Sequence, residues 1–143
     1  MDLPAERVTM SETPIPVLLV EDNNDDIFFM KRALKRAGLP WTLHVVTDGQ
    51  QALNYLAGNG AYANRAEFPL PAFILLDLKL PYRNGLEILA WIRTHPELNQ
   101  LTVFVLTSSP EEKDQKRAAE LGAKAYFLKP PSEALLKHIA ERI

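Results

Sequence analysis

The sequence contains no cysteine, and this absence excludes disulfide frameworks, thiol nucleophiles and cysteine-ligated zinc sites. It also contains no run of about eighteen apolar residues, the minimum for a membrane-spanning helix. The stretch from Met1 to Arg7 is interrupted by Pro4 and lacks the apolar core of an export signal. We therefore expect a cytoplasmic protein that has no membrane partner.

An excess of charge of one sign is absent as well. Sixteen Lys and Arg face eighteen Asp and Glu, so the net charge is −2 and no basic run offers a footprint for a nucleic acid. The length of 143 residues suits one domain, and a hydrophobic content of 47% is enough to build a core. We predict a flexible N-terminal extension over residues 1–15 and one domain over residues 16–143.

From residue 16 onward, five short apolar segments alternate with segments of helical periodicity. The apolar segments are Val17–Val20, Leu43–Val46, Phe73–Leu76, Val103–Leu106 and Ala125–Leu128. Four of them are apolar throughout, which is typical of strands that helices cover on both faces. The second contains His44 and is therefore predicted to lie at a sheet edge. This alternation, with right-handed crossovers, predicts an α/β fold with a doubly wound, parallel, five-stranded (βα)5 sheet.

Capping residues mark where the helices are expected to begin and end. The apolar stripe of the first helix, which starts at Ile27, stops before Gly38, a residue suited to a C-terminal cap. The predicted N-terminal caps of the second, third and fourth helices are Asp48, Asn84 and Ser109. The fourth helix is almost entirely charged over residues 111–117, so we expect it to be weakly anchored. The last helix is predicted to run to the C-terminus at Ile143.

One connection is unusually long. Residues 58–71 link the second helix to the third strand, where about 2–6 residues are usual. Three of its side chains are large and apolar, namely Tyr62, Phe68 and Leu70. They either cover the domain's own core or contact a partner.

Polar residues that suit a functional site follow the first, third, fourth and fifth apolar segments. They are Glu21 and Asp22, Asp77, Thr107 with Ser108, and Lys129. Because the carboxyl ends of parallel strands meet at one edge of the sheet, we expect these side chains to lie close together.

The chemistry of this group suits a metal ion and a phosphoryl group. Clustered carboxylates repel one another, and Mg²⁺ relieves that repulsion with oxygen ligands. Asp77 is the favoured nucleophile because it stands alone after the central strand, whereas Glu21 and Asp22 are adjacent and suit metal ligation. Lys129 and Thr107 can neutralise phosphoryl oxygens. Asp25 and Asp26, in the first turn of a helix, are assigned to favourable contact with the helix dipole.

These residues resemble the receiver domain of two-component response regulators. The matching stretches are Leu18–Asn23, Leu75–Pro81 with Gly85, Leu106–Ser108 and Leu128–Pro130. The resemblance covers residues 16–143 and implies a flavodoxin-like sheet with strand order 2-1-3-4-5. It also implies a cis peptide bond between Lys129 and Pro130.

The resemblance assigns a role to each residue of the cluster. Asp77 is the implied phosphoacceptor, and Mg²⁺ is held by Glu21, Asp22, Asp77 and the backbone carbonyl of Lys79. Lys129 contacts the phosphoryl group. The implied switch residues are Thr107, Ser108 and Tyr126. No other cofactor is expected.

The implied function is that of a single-domain response regulator. A sensor histidine kinase supplies the phosphoryl group, and the chain signals through contacts with a downstream protein or a second copy of itself. It is not an enzyme beyond its own phosphorylation and dephosphorylation. Residues 58–71 resemble an insertion in stand-alone receivers that pair with phytochrome-type sensor kinases.

Three other functions fit the residues less well. A Mg²⁺-dependent phosphohydrolase of the haloacid-dehalogenase type would need a second acid two residues after Asp77, where Lys79 stands. A binding module that works without phosphorylation would not need Asp77, Thr107 and Lys129 together. A flavin-binding protein would need a phosphate-binding loop after the first strand, where this sequence is acidic. The three histidines, His44, His95 and His138, have no metal-ligand spacing.

Overall fold

The computed structural model describes residues 13–143, in which five strands and five α-helices alternate and a short 3₁₀ helix (Gly60–Tyr62) lies before the third strand. The strands are β1 (Ile15–Val20), β2 (Trp41–Val46), β3 (Phe73–Leu76), β4 (Thr102–Thr107) and β5 (Ala125–Leu128). The helices are α1 (Asn24–Ala37), α2 (Gly49–Ala57), α3 (Gly85–Thr94), α4 (Glu112–Glu120) and α5 (Glu133–Ala140). The predicted extension lies mostly outside the described residues, and β1 begins at Ile15, one residue before the predicted boundary.

The five strands form one parallel sheet in the order β2-β1-β3-β4-β5, as the family resemblance implies. Alternate residues of β1 face opposite sides of this sheet. Leu18 and Val20 join a core cluster with residues of α2, α3 and α4. Val17 and Leu19 join a second cluster with residues of α1 and α5. The sheet is therefore doubly wound, and the predicted fold class is confirmed.

The two edges of the sheet differ from the sequence-based expectation in one respect. Strand β2, which contains His44, is an edge strand as predicted. Strand β5 is apolar throughout, yet it forms the opposite edge, and its last residue, Leu128, is 49% exposed. An apolar run alone does not distinguish an interior strand from an edge strand that one helix layer half covers.

Helix boundaries match the predicted caps in three of four cases. Asp48 and Asn84 cap α2 and α3, and Gly38 ends α1 with a φ of 67°. The prediction that Ser109 caps the fourth helix is wrong, because α4 begins at Glu112. The Ser109 hydroxyl instead donates to Asp114 Oδ2 at 2.7 Å, and this contact ties buried Ser109 of the β4–α4 loop to the helix.

The last helix is shorter than predicted. Helix α5 ends at Ala140, and Ile143 is 50% exposed. Its core contacts come from Leu136 and Ile139, which pack against β1, β3 and β4. Residues 141–143 are exposed and add no buried side chain to that core, so the helix ends before them.

The long connection after α2 packs onto the domain itself. The rings of Tyr62 and Phe68 lie 5.1 and 6.0 Å from the ring of buried Tyr55. The Arg65 guanidinium donates to the backbone carbonyls of Tyr55, Leu56 and Phe68 at 2.8 to 3.1 Å. Tyr62 and Phe68 therefore extend the core, while Leu70 remains 44% exposed.

Helix α4 is anchored by little apolar surface. Ala118 is its one buried side chain, and apart from exposed Ala119 the rest of the helix is charged or polar. Its C-terminal end is held by Arg93 of α3, which donates to the carbonyls of Leu121 and Gly122 at 2.8 and 2.9 Å. The expected weak anchoring is therefore seen along the helix but not at its C-terminal end.

Among the helices of residues 13–143, none is both long enough and apolar enough to cross a membrane.

Candidate functional site

Three strand ends bring oppositely charged side chains together at the carboxyl edge of the sheet. The Lys129 Nζ lies 2.6 Å from Glu21 Oε1 and 2.8 Å from Asp77 Oδ2. The backbone sets these positions, since the amide of Glu21 bonds to β2, that of Asp77 to β1 and that of Lys129 to β4. The Lys129–Pro130 peptide bond is cis, as the family resemblance implies.

The backbone packs tightly under Asp77. Helix α3 begins at Gly85, where a Cβ atom would overlap the carbonyl oxygen of Asp77. Only glycine allows the first turn of α3 to approach this closely. The glycine in the sequence motif therefore shapes the loop that carries the Asp77 side chain.

The site is buried and contains more negative than positive charge. Glu21 and Asp77 are 3% and 4% exposed, and the Lys129 side chain is 9% exposed. A third carboxylate, that of Asp26, also lies 2.8 Å from the Lys129 Nζ. One ammonium therefore faces three carboxylates, and Asp22 adds a fourth acidic group at the rim.

Burial and the hydrogen bonds within the cluster shift two pKa values. Burial raises the pKa of Glu21 from 4.5 to about 7, and the nearby Asp77 carboxylate adds to the effect, while the hydrogen bond from Lys129 opposes it. Burial alone would lower the pKa of Lys129, but hydrogen bonds to Asp26, Asp77 and Glu21 outweigh it and raise that pKa. The ammonium thus keeps its proton, and the acidic cluster favours uptake of further positive charge.

The acidic residues suit a metal ion. One carboxylate oxygen from each of Glu21, Asp22 and Asp77 lies within 4.8 Å of the other two. Backbone amides orient two of the carboxylates: Asn23 N donates to Glu21 Oε2, and Lys79 N donates to Asp77 Oδ1, both at 3.2 Å. A hard cation that prefers oxygen ligands fits this donor set.

A second group of polar residues lies at the end of β4. Thr107 is fully buried, and Ser109 N donates to its Oγ1 at 3.4 Å. The Tyr126 hydroxyl on β5 donates to the Ser109 carbonyl at 2.8 Å. Burial raises the pKa of Tyr126, so the phenol keeps its proton for this bond. Ser108, by contrast, is exposed.

Two residues contribute to the site in ways that the sequence analysis missed. Asp26 was assigned to the helix dipole, but its carboxylate also accepts a hydrogen bond from Lys129. Ser109 was assigned as a helix cap, but it connects Thr107, Asp114 and Tyr126. Asp26 and Lys129 are 103 residues apart in the chain, so no local pattern could have paired them.

A doubly wound parallel sheet with an acidic, lysine-containing pocket at its carboxyl edge can place a cation and an ammonium beside one carboxylate, an arrangement suited to phosphoryl chemistry. A family model for the response regulator receiver domain matches residues 17–141. The chain belongs to this family, as the sequence motifs indicate.

Individual relatives support the assignment. FilR2 of Methanothrix harundinacea, named a probable methanogenesis regulatory protein, is 37% identical over 139 residues, covering 95% of this chain and 85% of the relative. The response regulator Rcp1 of Synechocystis sp. is 38% identical over 119 residues, covering 83% and 79% of the two chains.

Solved structures agree. The Mn²⁺-bound form of Rcp1 aligns with a TM-score of 0.77 at 36% identity, over 90% of this chain and 91% of that one. The bacteriophytochrome response regulator RtBRR aligns with a TM-score of 0.80 at 44% identity, over 90% of this chain and 78% of that one. The chain is thus homologous to response regulators of two-component signalling, and neither a phosphohydrolase nor a phosphorylation-independent binding module is favoured.

Proposed function

We propose that the chain receives a phosphoryl group on Asp77 and signals through protein contacts, and that it has no other catalytic activity. The observation that carries this proposal is the Lys129 ammonium 2.8 Å from the buried Asp77 carboxylate. A fixed cation beside a buried carboxylate stabilises the charge that develops when a phosphoryl group is transferred to it. We further propose that the receiver domain begins with β1 at Ile15, one residue before the predicted boundary of residues 16–143, and that the residues before it form an extension.

Mg²⁺ is the proposed cofactor. Glu21, Asp22 and Asp77 would hold it through carboxylate oxygens, together with the backbone carbonyl of Lys79. Bound there, the ion supplies positive charge next to the transferred group. The three-oxygen cluster supports this proposal, as does the existence of an Mn²⁺-bound form of Rcp1.

Asp77 is the proposed nucleophile. One of its carboxylate oxygens forms a bond to phosphorus while the bond from phosphorus to the donor breaks, and the donor leaves with the electron pair. The Lys79 amide on Oδ1 and the Lys129 ammonium on Oδ2 fix the plane of the carboxylate. Lys129 and the Thr107 hydroxyl are proposed to contact the phosphoryl oxygens.

The β4–α4 loop is the proposed switch. Movement of Thr107 toward a phosphoryl group would pull on Ser109, whose amide donates to Thr107 and whose carbonyl accepts from Tyr126. Ser108, exposed between them, would move with the loop. Because α4 buries one side chain, this pull is proposed to change the surface formed by α4 and β5.

A sensor histidine kinase is the proposed phosphoryl donor. The kinase is proposed to be of the phytochrome type, because RtBRR is named a bacteriophytochrome response regulator and is 44% identical to this chain. A partner that uses cytoplasmic ATP would make this a cytoplasmic protein. The phosphorylated chain is proposed to pass the signal to a downstream protein or to a second copy of itself.

Labelling with a small phosphoryl donor tests the phosphoacceptor. The chain is incubated with acetyl phosphate and Mg²⁺, and the added phosphoryl group is mapped by mass spectrometry of peptides. We expect one group on Asp77, none on Asp77→Asn, and wild-type labelling of Asp48→Asn, which changes an acid that caps α2 and does not belong to the three-oxygen cluster. Equal labelling of wild type and Asp77→Asn would overturn the assignment.

A further inference from the structure

Asp26 makes a contact that its position on the helix does not require. It lies in the first turn of α1 beside Asp25, and both acids favour the positive end of the helix dipole. Asp25 is exposed, whereas the Asp26 side chain is 27% exposed and directs Oδ2 to the Lys129 Nζ at 2.8 Å. The helix dipole explains both acids equally, so the ion pair to Lys129 distinguishes Asp26.

The Lys129 ammonium has no spare donor in this arrangement. An ammonium carries three N–H groups, and three carboxylates lie within 2.8 Å of Nζ: those of Glu21, Asp26 and Asp77. Two of these, Glu21 and Asp77, also belong to the three-oxygen cluster that can hold a cation, and Asp26 does not belong to it. If the carboxylates of Glu21 and Asp77 bind a cation or a phosphoryl group, Asp26 is the remaining acid that can hold the ammonium.

We propose that Asp26 is a positioning residue for phosphoryl transfer, which holds the Lys129 ammonium over Asp77 while Glu21 and Asp77 engage other groups. This inference rests on the proposed function of Asp77. The lysine side chain has four rotatable carbons and a strong preference for water, so a second anchor is needed to keep its head group at one place. Misplacement of such a group by a small distance lowers the rate of transfer.

The test compares two neighbouring acids. Initial rates of labelling by acetyl phosphate at saturating Mg²⁺ are measured for the full chain, Asp26→Asn and Asp25→Asn. We expect Asp26→Asn to be slower on the order of tenfold and Asp25→Asn to match wild type. Both substitutions remove one negative charge from the same helix turn, so an effect through the helix dipole would slow both variants equally and would overturn the proposal.

Two further readouts separate positioning from metal binding and from folding. The Mg²⁺ affinity of Asp26→Asn, measured by calorimetry, should stay within about twofold of wild type, because Asp26 is not a proposed ligand. Asp26→Glu should restore part of the rate, and Asp26→Ser serves as a second variant if Asp26→Asn does not fold. Lost Mg²⁺ binding that accounts for the slower rate would overturn the positioning role.

Failure of this inference is distinguishable from failure of the proposed function. A wild-type chain that takes no phosphoryl group on Asp77 contradicts the proposed function and, with it, this inference. A wild-type chain that is labelled on Asp77 while Asp26→Asn is labelled as fast or faster contradicts this inference alone.

Discussion

At the scale of single residues, the site depends on one ammonium that forms ion pairs with three carboxylates. Lys129 is the cation within hydrogen-bonding distance of Glu21, Asp26 and Asp77. Breaking a buried ion pair by removing one partner is costly because the other charge stays buried without compensation. The acids of this site should therefore depend on Lys129 for stability as well as for chemistry.

Replacing Lys129 by methionine should destabilise the metal-free protein by about 3 kcal/mol, since the buried carboxylates lose their cation. Mg²⁺ should stabilise the variant more than it stabilises the wild type, because it neutralises the same acids. Urea unfolding with and without Mg²⁺ measures both effects. Lys31→Met, at an exposed position of α1, is the control and should change little. Equal stabilisation of all three proteins by Mg²⁺ would contradict this account.

Glu21 should give the metal-free protein a pH dependence. Its pKa is raised from 4.5 to about 7 in the folded chain, chiefly by burial. Between these values the folded chain holds a proton that the unfolded chain has released, so the free energy of unfolding falls as the pH rises through this interval. Glu21→Gln should remove that slope. Urea unfolding across the interval, with a chelator present, measures it, and an unchanged slope in the variant would show that another group is responsible.

At the scale of elements, α4 combines weak apolar anchoring with polar contacts at both ends. Arg93 holds its C-terminal end, and the Ser109–Asp114 hydrogen bond holds its N-terminal end. Between these contacts the helix buries Ala118. An element held in this way can open locally at low cost in free energy.

Asp114→Asn should therefore loosen the start of α4. The Ser109 hydroxyl loses a charged acceptor, a contact of about 1.5 kcal/mol or more, and amide hydrogen exchange in α4 should speed up about tenfold. Glu112→Gln removes a charge from the same first turn but leaves the Ser109–Asp114 hydrogen bond in place, so it should speed up exchange less. Exchange that rises equally in both variants would mean that helix charge, not the hydrogen bond, controls the opening.

The elements also show what the sequence could and could not predict. The strands, the order of elements and the caps at Asp48 and Asn84 follow from local patterns and were predicted. The start of α4 was not, because the Ser109 hydroxyl bonds to Asp114 instead of capping the helix. The role of Asp26 depends on a lysine from the far end of the sheet, and such long-range pairings leave no local trace in the sequence.

At the scale of the whole molecule, the long connection of residues 58–71 extends the core through two of its side chains. Tyr62 and Phe68 cover Tyr55, and Arg65 ties the connection to the end of α2. The segment thus packs against α2, on the face of the sheet opposite to α1. It lies outside the cluster of acids and Lys129.

Arg65→Ala should therefore lower stability without affecting phosphorylation. Three backbone carbonyls lose a charged donor, so we expect a loss of about 2 kcal/mol in urea unfolding. Arg32→Ala, at an exposed position of α1, should be close to neutral. A large loss of labelling on Asp77 in folded Arg65→Ala would show that the connection of residues 58–71 does affect the site.

We expect the acids that follow β1 and β3 and the amine that follows β5 to act together on one phosphoryl group. A crystal structure of the chain with Mg²⁺ and beryllium trifluoride, a mimic of the aspartyl phosphate, is the sharpest test of this expectation. We expect Mg²⁺ on Glu21, Asp22 and Asp77, the mimic on Asp77, and the Lys129 Nζ within hydrogen-bonding distance of a fluorine. A mimic bound elsewhere, or a Lys129 Nζ turned away from Asp77, would contradict it.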